Sequence, residues 1–305
     1  MTVPDFQKMM LPLLSFMGDG AEHSLAEVIE IVGERLGLSS EDKKLLLPSE
    51  SEPILDNRVR WAAFYLRKAG LLQRTGRGKI RITERGDQLL RTKPPNIDVN
   101  FLKQFPEFLE FRQAARKSSD SDDSVALRDK DEDETPEETL EASYQSLRAT
   151  LAQEILDRVK QCPPKFFEKL VVDLLVSMGY GGSRKDAGQA VGQSGDEGID
   201  GIIKEDKLGL DVVYLQAKRW EGTVGRPVVQ AFAGSLEGQR ARKGVFITTS
   251  QFSQEAKDYV SRIEKKIILI DGQELAQLMI DHGIGVMEVR TYTVRKLDLD
   301  YFGEE

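Results

Sequence analysis

A chain of 305 residues, 40% hydrophobic and 31% charged, is long enough for two domains of ordinary size and reads as soluble globular protein. No apolar run approaches the roughly 18 residues that a membrane-spanning helix needs. A single cysteine, Cys162, excludes an internal disulfide and a cysteine-based zinc cluster, and two distant histidines, His23 and His282, argue against histidine-rich metal or triad chemistry.

The net charge of −8 argues at first against a polyanionic partner, but it is the sum of two opposed blocks. Residues 58–93 hold eleven Lys/Arg against Glu84 and Asp87, a local +9, and residues 118–141 hold eleven Asp/Glu against Arg128 and Lys130, a local −9. For binding a polyanion the local basic face is the informative quantity. The first residues, "MTVPDFQKMMLPLLSF", lack the charge and cleavage pattern of a secretion signal, so a reducing cytoplasm is the expected compartment.

In chain order, apolar spacing predicts helices over 4–17 and 25–37, the second with Ser24 as its N-cap. "DNRVRWAAFYLRKAG" predicts a third helix, with Val59, Ala62, Ala63, Leu66 and Ala69 inward and Gly70 as the stop. "LLQRTGRGKIRITERG" predicts two short strands around a basic tip. Helices followed by a basic hairpin suggest a winged helix-turn-helix over residues 1–95, with one helix in the major groove and the hairpin on the neighbouring backbone. Arg58, Arg60, Arg67 and Lys68 lie off the inward helix face and are candidates for DNA contact; Arg74, Arg77, Lys79 and Arg81 are candidates for phosphates. A protein-binding winged domain with a solvated basic face is the alternative.

"SSDSDDSVALRDKDEDETPEE" has almost no large apolar residues and reads as a solvated acidic linker, with a tail that shields the basic face as the alternative. Leu140, Tyr144, Leu147, Leu151 and Ile155 then recur at helical spacing up to Pro163-Pro164, so residues 96–160 are expected to be linker and connecting helix. That helix packs on its own domain or on a second subunit. From 161 to 305 helices and strands alternate: "KFFEKLVVDLLVSMGY" is a helix with Phe167, Leu170, Val171, Leu174 and Met178 inward. Glycine-broken strands to about 217, a helix over 226–239, the strand "GVFITTS", the helix "SQEAKDYVSRI", the strand "KIILID" and the helix "GQELAQLMIDHG" follow. Such alternation predicts an α/β domain.

Within it, "GIDGIIKEDKLGLDVVYLQAKRW", residues 198–220, concentrates the chemistry. Side chains two apart on a strand share a face, so Gln216 and Lys218 project together while Ala217 points away. The turn-rich "KEDKLGLD" folds the two strands into a hairpin, which brings Asp200 beside both, and the glycines at 198 and 201 suit close backbone approach. An acid, an amide oxygen and a lysine on a sheet edge fit phosphodiester hydrolysis. Asp200 would hold a hard divalent cation, Gln216 would give a neutral ligand oxygen, and Lys218 would stabilise charge in the transition state. A surface hairpin with unrelated polar residues is the alternative.

The ordered run "GYGG", "GDEGIDGII", "VYLQAKRW" and "VGRPVVQAFAGSLEGQRARKGVFITTSQF" resembles the catalytic domain of Mrr-type restriction endonucleases, in the PD-(D/E)xK nuclease superfamily, over about 160–290. The N-terminal region resembles that family's winged-helix domain, and "KLDLDYF" also fits. The resemblance implies a restriction-endonuclease-like α/β domain, with a mixed sheet flanked by helices. It also implies a type IV bacterial defence endonuclease that cuts methylated double-stranded DNA with Mg²⁺ and without NTP. The absence of a G-x-x-x-x-G-K-[ST] loop agrees with the last point. It makes Asp200 the motif acid, Gln216 the middle residue and Lys218 the motif lysine. Gln216 leaves the metal site one charge short of the superfamily's usual carboxylate. Glu168 is a candidate to supply the missing one, with an ordinary solvated glutamate as the alternative; Asp196 and Glu197 read as loop acids. Gln230 is a candidate phosphate contact or a packing residue. A homodimer or higher oligomer is expected. A non-enzymatic DNA-binding regulator with a decayed nuclease fold, and a repair or junction nuclease, are the rival functions.

Overall fold

The computed structural model describes residues 3–117, 133–181, 198–206, 208–295, 297 and 301. Contacts divide the chain into two units, Met1–Gln145 with Val294–Glu305, and Ser146–Thr293.

In the first unit, α1 (Phe6–Phe16) is capped by the Asp5 carboxylate, which accepts from Lys8 N at 3.0 Å. Ser24 caps α2 (Leu25–Arg35) as expected, its Oγ accepting from Glu27 N at 3.2 Å. The third helix, α3 (Ile54–Lys68), ends as the chain enters Gly70, whose φ of +71° favours glycine. β1 (His23–Ser24), β2 (Leu72–Gly76) and β3 (Lys79–Ile82) form an antiparallel sheet in the order β1-β3-β2, so the expected basic hairpin is β2–β3. Helix, strand, two helices and hairpin follow one another in this unit. Met9, Leu13, Val32, Val59 and Leu66 belong to its buried core.

That core runs past residue 95. After α4 (Glu84–Arg91) come α5 (Val99–Leu102) and α6 (Pro106–Lys117), and Ile97, Val99, Leu102 and Phe108 are buried in the same core. Residues 96–117, expected as connection, are therefore part of the first unit. Phe108 and Phe111 meet Tyr65 of α3 at ring-centroid distances of 5.6 and 6.4 Å.

The acidic block is described from residue 133 onward, and residues 118–132 lie outside the described residues. Its end is helical. The helix α7 (Pro136–Gln161) begins inside "TPEE", where Thr135 Oγ1 accepts from Glu138 N and Glu138 Oε2 accepts from Thr135 N at 2.8 Å. This is a reciprocal capping box with proline at the first helical position, so local capping ends the acidic stretch sooner than its charge suggests.

In the second unit, β4 (Gly201–Lys204) and β5 (Val212–Lys218) form an antiparallel hairpin, and β6 (Lys243–Thr248) and β7 (Lys266–Ile270) continue the sheet in parallel, in the order β4-β5-β6-β7. One core includes Phe167, Leu170, Val171 and Leu174 of α8 (Pro164–Ser177) with Leu215, Val245 and Ile247; the predicted Met178 is partly buried against it. A second core holds Val229, Phe232 and Leu236 of α9 (Arg226–Gly238), Ala256 of α10 (Gln254–Arg262) and Phe246. α11 (Gly272–Asp281) adds Leu275 and Met279 to the first of these cores. Helices on both faces explain why the strands read as continuous apolar runs. No described helix is long and apolar enough to cross a membrane.

Candidate active site on the β4–β5 hairpin

The hairpin is built from both ends. At its loop, Lys243 of β6 pairs with Asp211 at 2.8 Å and with Glu205, and hydrogen bonds to Asp211 and Glu205 hold its ammonium pKa above the ordinary lysine value. At its open end the ladder stops at Gly201, which pairs with Leu215; Asp200 N donates to that same Leu215 carbonyl at 2.8 Å. Two residues facing one partner make a bulge, which re-aims the Asp200 side chain. The Asp200 Oδ2 then accepts from Ala217 N at 2.8 Å, in the place the next β4 residue would have taken. The carboxylate therefore lies against the β5 backbone between Gln216 and Lys218.

The two faces of β5 separate as expected. Leu215 and Ala217 pack in the core with α8, whereas Gln216 is the register partner of Phe246, and Tyr214 packs on the opposite core with it. Gln216 is 5% exposed, and its Oε1 is buried with no hydrogen-bond partner among the described residues. Leaving such an oxygen unpaired costs about 1–3 kcal/mol. Gly198 closes in behind the amide: it has φ +92°, and a Cβ there would lie 3.1 Å from Gln216 Nε2. Lys218 is half-buried, and its ammonium has no ion-pair or hydrogen-bond partner among the described residues. Its carbonyl is held by Thr248 Oγ1 at 2.8 Å and Thr249 N at 3.3 Å. These two buried threonines, in "ITTS", were not singled out in the sequence; the polar pair ending an apolar strand was the available signal.

Glu168 is half-buried on α8, beside the buried Phe167, and its carboxylate has no partner among the described residues. Among the described residues no three His, Cys, Asp or Glu side chains converge as a metal site; Asp196 and Glu197 lie outside those residues. The donors that fit a hard cation are thus the Asp200 carboxylate and the orphaned Gln216 oxygen, with Glu168 a separate unpartnered acid. Gln230 is exposed on α9, in a groove lined by Glu237, Arg240 and Lys265.

The basic residues of the first unit differ in their availability. Arg58 is engaged: its Nε donates to Glu138 at 2.8 Å and its guanidinium donates to the carbonyls of Val3 and Pro4. In this arrangement the guanidinium that was expected to reach DNA is held within the first unit. Arg60 pairs with Glu52 and lies 3.8 Å from Asp56. Arg67 is half-buried over the Phe64 ring, its pKa lowered by burial and then by the like charge of Arg74. Lys68 lies over Phe64 and Phe111 at 5.4 and 5.1 Å. On the hairpin, Arg74 donates to Gly76 O, Lys79 pairs with Glu22 at 2.9 Å and Arg81 donates to Gly20 O. Arg77, at the tip, is exposed.

A mixed sheet flanked by helices on both faces, with acid, amide and lysine gathered at the mouth of a hairpin, defines a restriction-endonuclease-like protein. Two family models match: "Restriction endonuclease" over residues 159–279 and "Mrr N-terminal domain" over residues 6–92. The type IV methyl-directed restriction enzyme EcoKMrr of Escherichia coli (strain K12) is 40% identical over 311 residues, covering 99% of this chain and 100% of that one. The chain belongs to the Mrr family of type IV restriction endonucleases. A solved complex of the MspJI restriction endonuclease with a 27-mer oligonucleotide is 22% identical, covering 52% of this chain and 34% of that one; its TM-score of 0.27 carries no argument.

Proposed function

We propose that this endonuclease hydrolyses methylated double-stranded DNA in a Mg²⁺-dependent reaction, with Asp200, Gln216 and Lys218 as its centre. The observation that carries this reading is the buried Gln216 Oε1, which has no hydrogen-bond partner among the described residues, one residue from the Ala217 N that holds the Asp200 carboxylate. Burying an unpaired acceptor is unfavourable, so a cation is the natural missing partner. When bound, Mg²⁺ supplies positive charge that lowers the pKa of water and offsets charge growing on the phosphate.

The protein's own groups do the rest. Ala217 N fixes one Asp200 oxygen and leaves the other for the cation. Lys218, half-buried and without a partner among the described residues, offers its ammonium to the phosphate oxygens as their charge grows, and the threonines on its carbonyl fix its backbone beforehand. Duplex DNA is the substrate class that the family and the basic first unit support. Methylation rests on the 40% identical relative, which is itself described as methyl-directed. A methyl group in the major groove offers an apolar handle, worth about 1–2 kcal/mol within the usual 1–3 kcal/mol of base discrimination.

The test is digestion of matched methylated and unmethylated plasmids with Mg²⁺ or with EDTA. Cutting is expected with Mg²⁺ and faster on the methylated plasmid. Equal rates on the two plasmids would discard methyl specificity, and undiminished cutting in EDTA would discard the metal.

A further inference from the structure

The face of α3 that a winged helix turns to DNA is already occupied within the first unit, and by acids. Thr135 Oγ1 donates to Asn57 Oδ1 at 2.6 Å, Arg58 Nε donates to Glu138 at 2.8 Å, and Trp61 Nε1 donates to Glu137 at 2.6 Å. Asn57 and Trp61, four residues apart, share a face of the helix, and Arg58, three before Trp61, borders it. Just before, Asp133 accepts from Gln7 Nε2 of α1 at 2.9 Å. The guanidinium and indole N–H are donors of the kind that address phosphates and base edges, and carboxylates satisfy them here.

The way this segment is held separates it from an ordinary packed helix. The buried residues of α7 are Ala152, Ile155 and Val159, all beyond its fourth turn. At its start Leu140 and Tyr144 remain 48% and 52% exposed, so the attachment over 135–141 is polar. A cavity of about 780 Å³, lined by Arg60, Trp61, Arg67, Glu137, Leu140 and Glu141 among others, remains between this start and α3. The Arg58–Glu138 pair is largely enclosed, its side chains 18% and 10% exposed, so salt alone screens it little; an incoming phosphate displaces it by taking over the same donors.

We infer that residues 133–141, the last nine residues of the acidic block, act as a built-in competitor of DNA for α3, so that DNA binding requires their displacement. This rests on reading the first unit as the DNA reader. It also accounts for a +9 block and a −9 block in one chain.

The experiment measures binding of a fluorescent duplex by the full chain in EDTA, using anisotropy. Neutralising the competitor with Glu137→Gln, Glu138→Gln and Glu141→Gln together keeps the side-chain shapes and is expected to tighten binding about tenfold, the scale of one ion pair and one charge-assisted hydrogen bond weakened. Neutralising three exposed acids of the second unit, Glu154→Gln, Asp157→Asn and Glu255→Gln, changes net charge equally and is expected to leave affinity within about twofold. Equal tightening in both variants would overturn the inference, since net charge alone would then explain it. Wild-type affinity in the first variant would also overturn it. Arg77→Glu with Lys79→Glu calibrates the underlying reading: weaker binding there keeps the DNA reader even if the competitor fails, and unchanged binding removes both. A second readout needs no change to the acids. With Trp220→Phe, Trp61 is the remaining tryptophan, and DNA is expected to shift its emission as Glu137 leaves the indole. An emission unchanged by saturating DNA would refute displacement.

Discussion

At the scale of residues, the proposed role of Gln216 has a stability cost that can be measured. A buried amide oxygen with no donor is unfavourable in the metal-free protein, so Gln216→Leu, close in volume, is expected to raise unfolding stability in EDTA by about 1–2 kcal/mol. The same change should abolish cutting, and urea titration beside plasmid cleavage reads both. No gain in EDTA would mean that the oxygen is satisfied after all. Asp200→Ala and Lys218→Ala are each expected to lower cleavage by at least about 100-fold while DNA binding persists. Gln216→Glu restores a carboxylate at nearly the same shape, so half-maximal activity should need less Mg²⁺; Gln216→Ala should need more. Titration curves for both that overlay the wild type would take Gln216 out of the metal's reach and make Glu168 the next ligand to test. Away from the site, a Cβ on Gly86 of α4 would lie 2.3 Å from Leu71 O and 2.7 Å from Ile82 Cγ1. Gly86→Ala should therefore destabilise by at least about 1–3 kcal/mol, seen as a lower urea midpoint.

At the scale of elements, short polar devices fix where helices and strands begin. His23 on β1 illustrates one with a pH signature: burial opposes its charged form, but hydrogen bonds to Asp19 at 2.8 Å and to Glu27 prevail, and its pKa is raised above 6.5. A raised folded-state pKa adds stability that is fully present below the unfolded value and is lost as pH rises through the folded one. The stability difference between wild type and His23→Gln is therefore expected to shrink as pH goes from 6 to 8. Both acids are partly solvated, so the whole effect should be no more than about 0.5 kcal/mol. A difference that grows with pH would show the histidine to be neutral in the fold. The first core also decides how the reader must be studied. A fragment ending at 95 lacks Ile97, Val99, Leu102 and Phe108, all buried, so binding is better measured on the full chain.

At the scale of the whole molecule, each chain carries one proposed Asp200–Lys218 centre, and cutting both strands would call for two, most simply from a symmetric pair. Leu140, Tyr144, Leu147 and Leu151 recur along α7 at the 4-3-4 spacing of a helix seam and are exposed, Leu147 by 72%. DNA-bound protein is expected to sediment with an even number of subunits, and Leu147→Glu to leave an enzyme that nicks without breaking both strands. A monomer that makes double-strand breaks at limiting concentration would contradict this. The overall charge of −8 should not prevent binding, because the basic hairpin acts locally; affinity should still fall steeply with salt.

Periodicity and turn chemistry alone placed nearly every helix and strand described in the second unit, because apolar spacing follows directly from which face an element buries. They also placed Gln216 and Lys218 on one face of β5 and Asp200 beside them, since a turn-rich loop between two strands leaves few registers open. Tertiary structure decided the rest. Residues 96–117 looked like connection because their few apolar residues are spread thinly, and Phe108 counts as core where α3 offers it a surface. Arg58 read as a free cation because sequence shows a charge and not its partner, and Glu138, which takes it, stands eighty residues away. The missing donor at Gln216 Oε1 was equally invisible. Whether a polar atom is satisfied depends on everything that packs around it, and that is settled when the chain closes on itself.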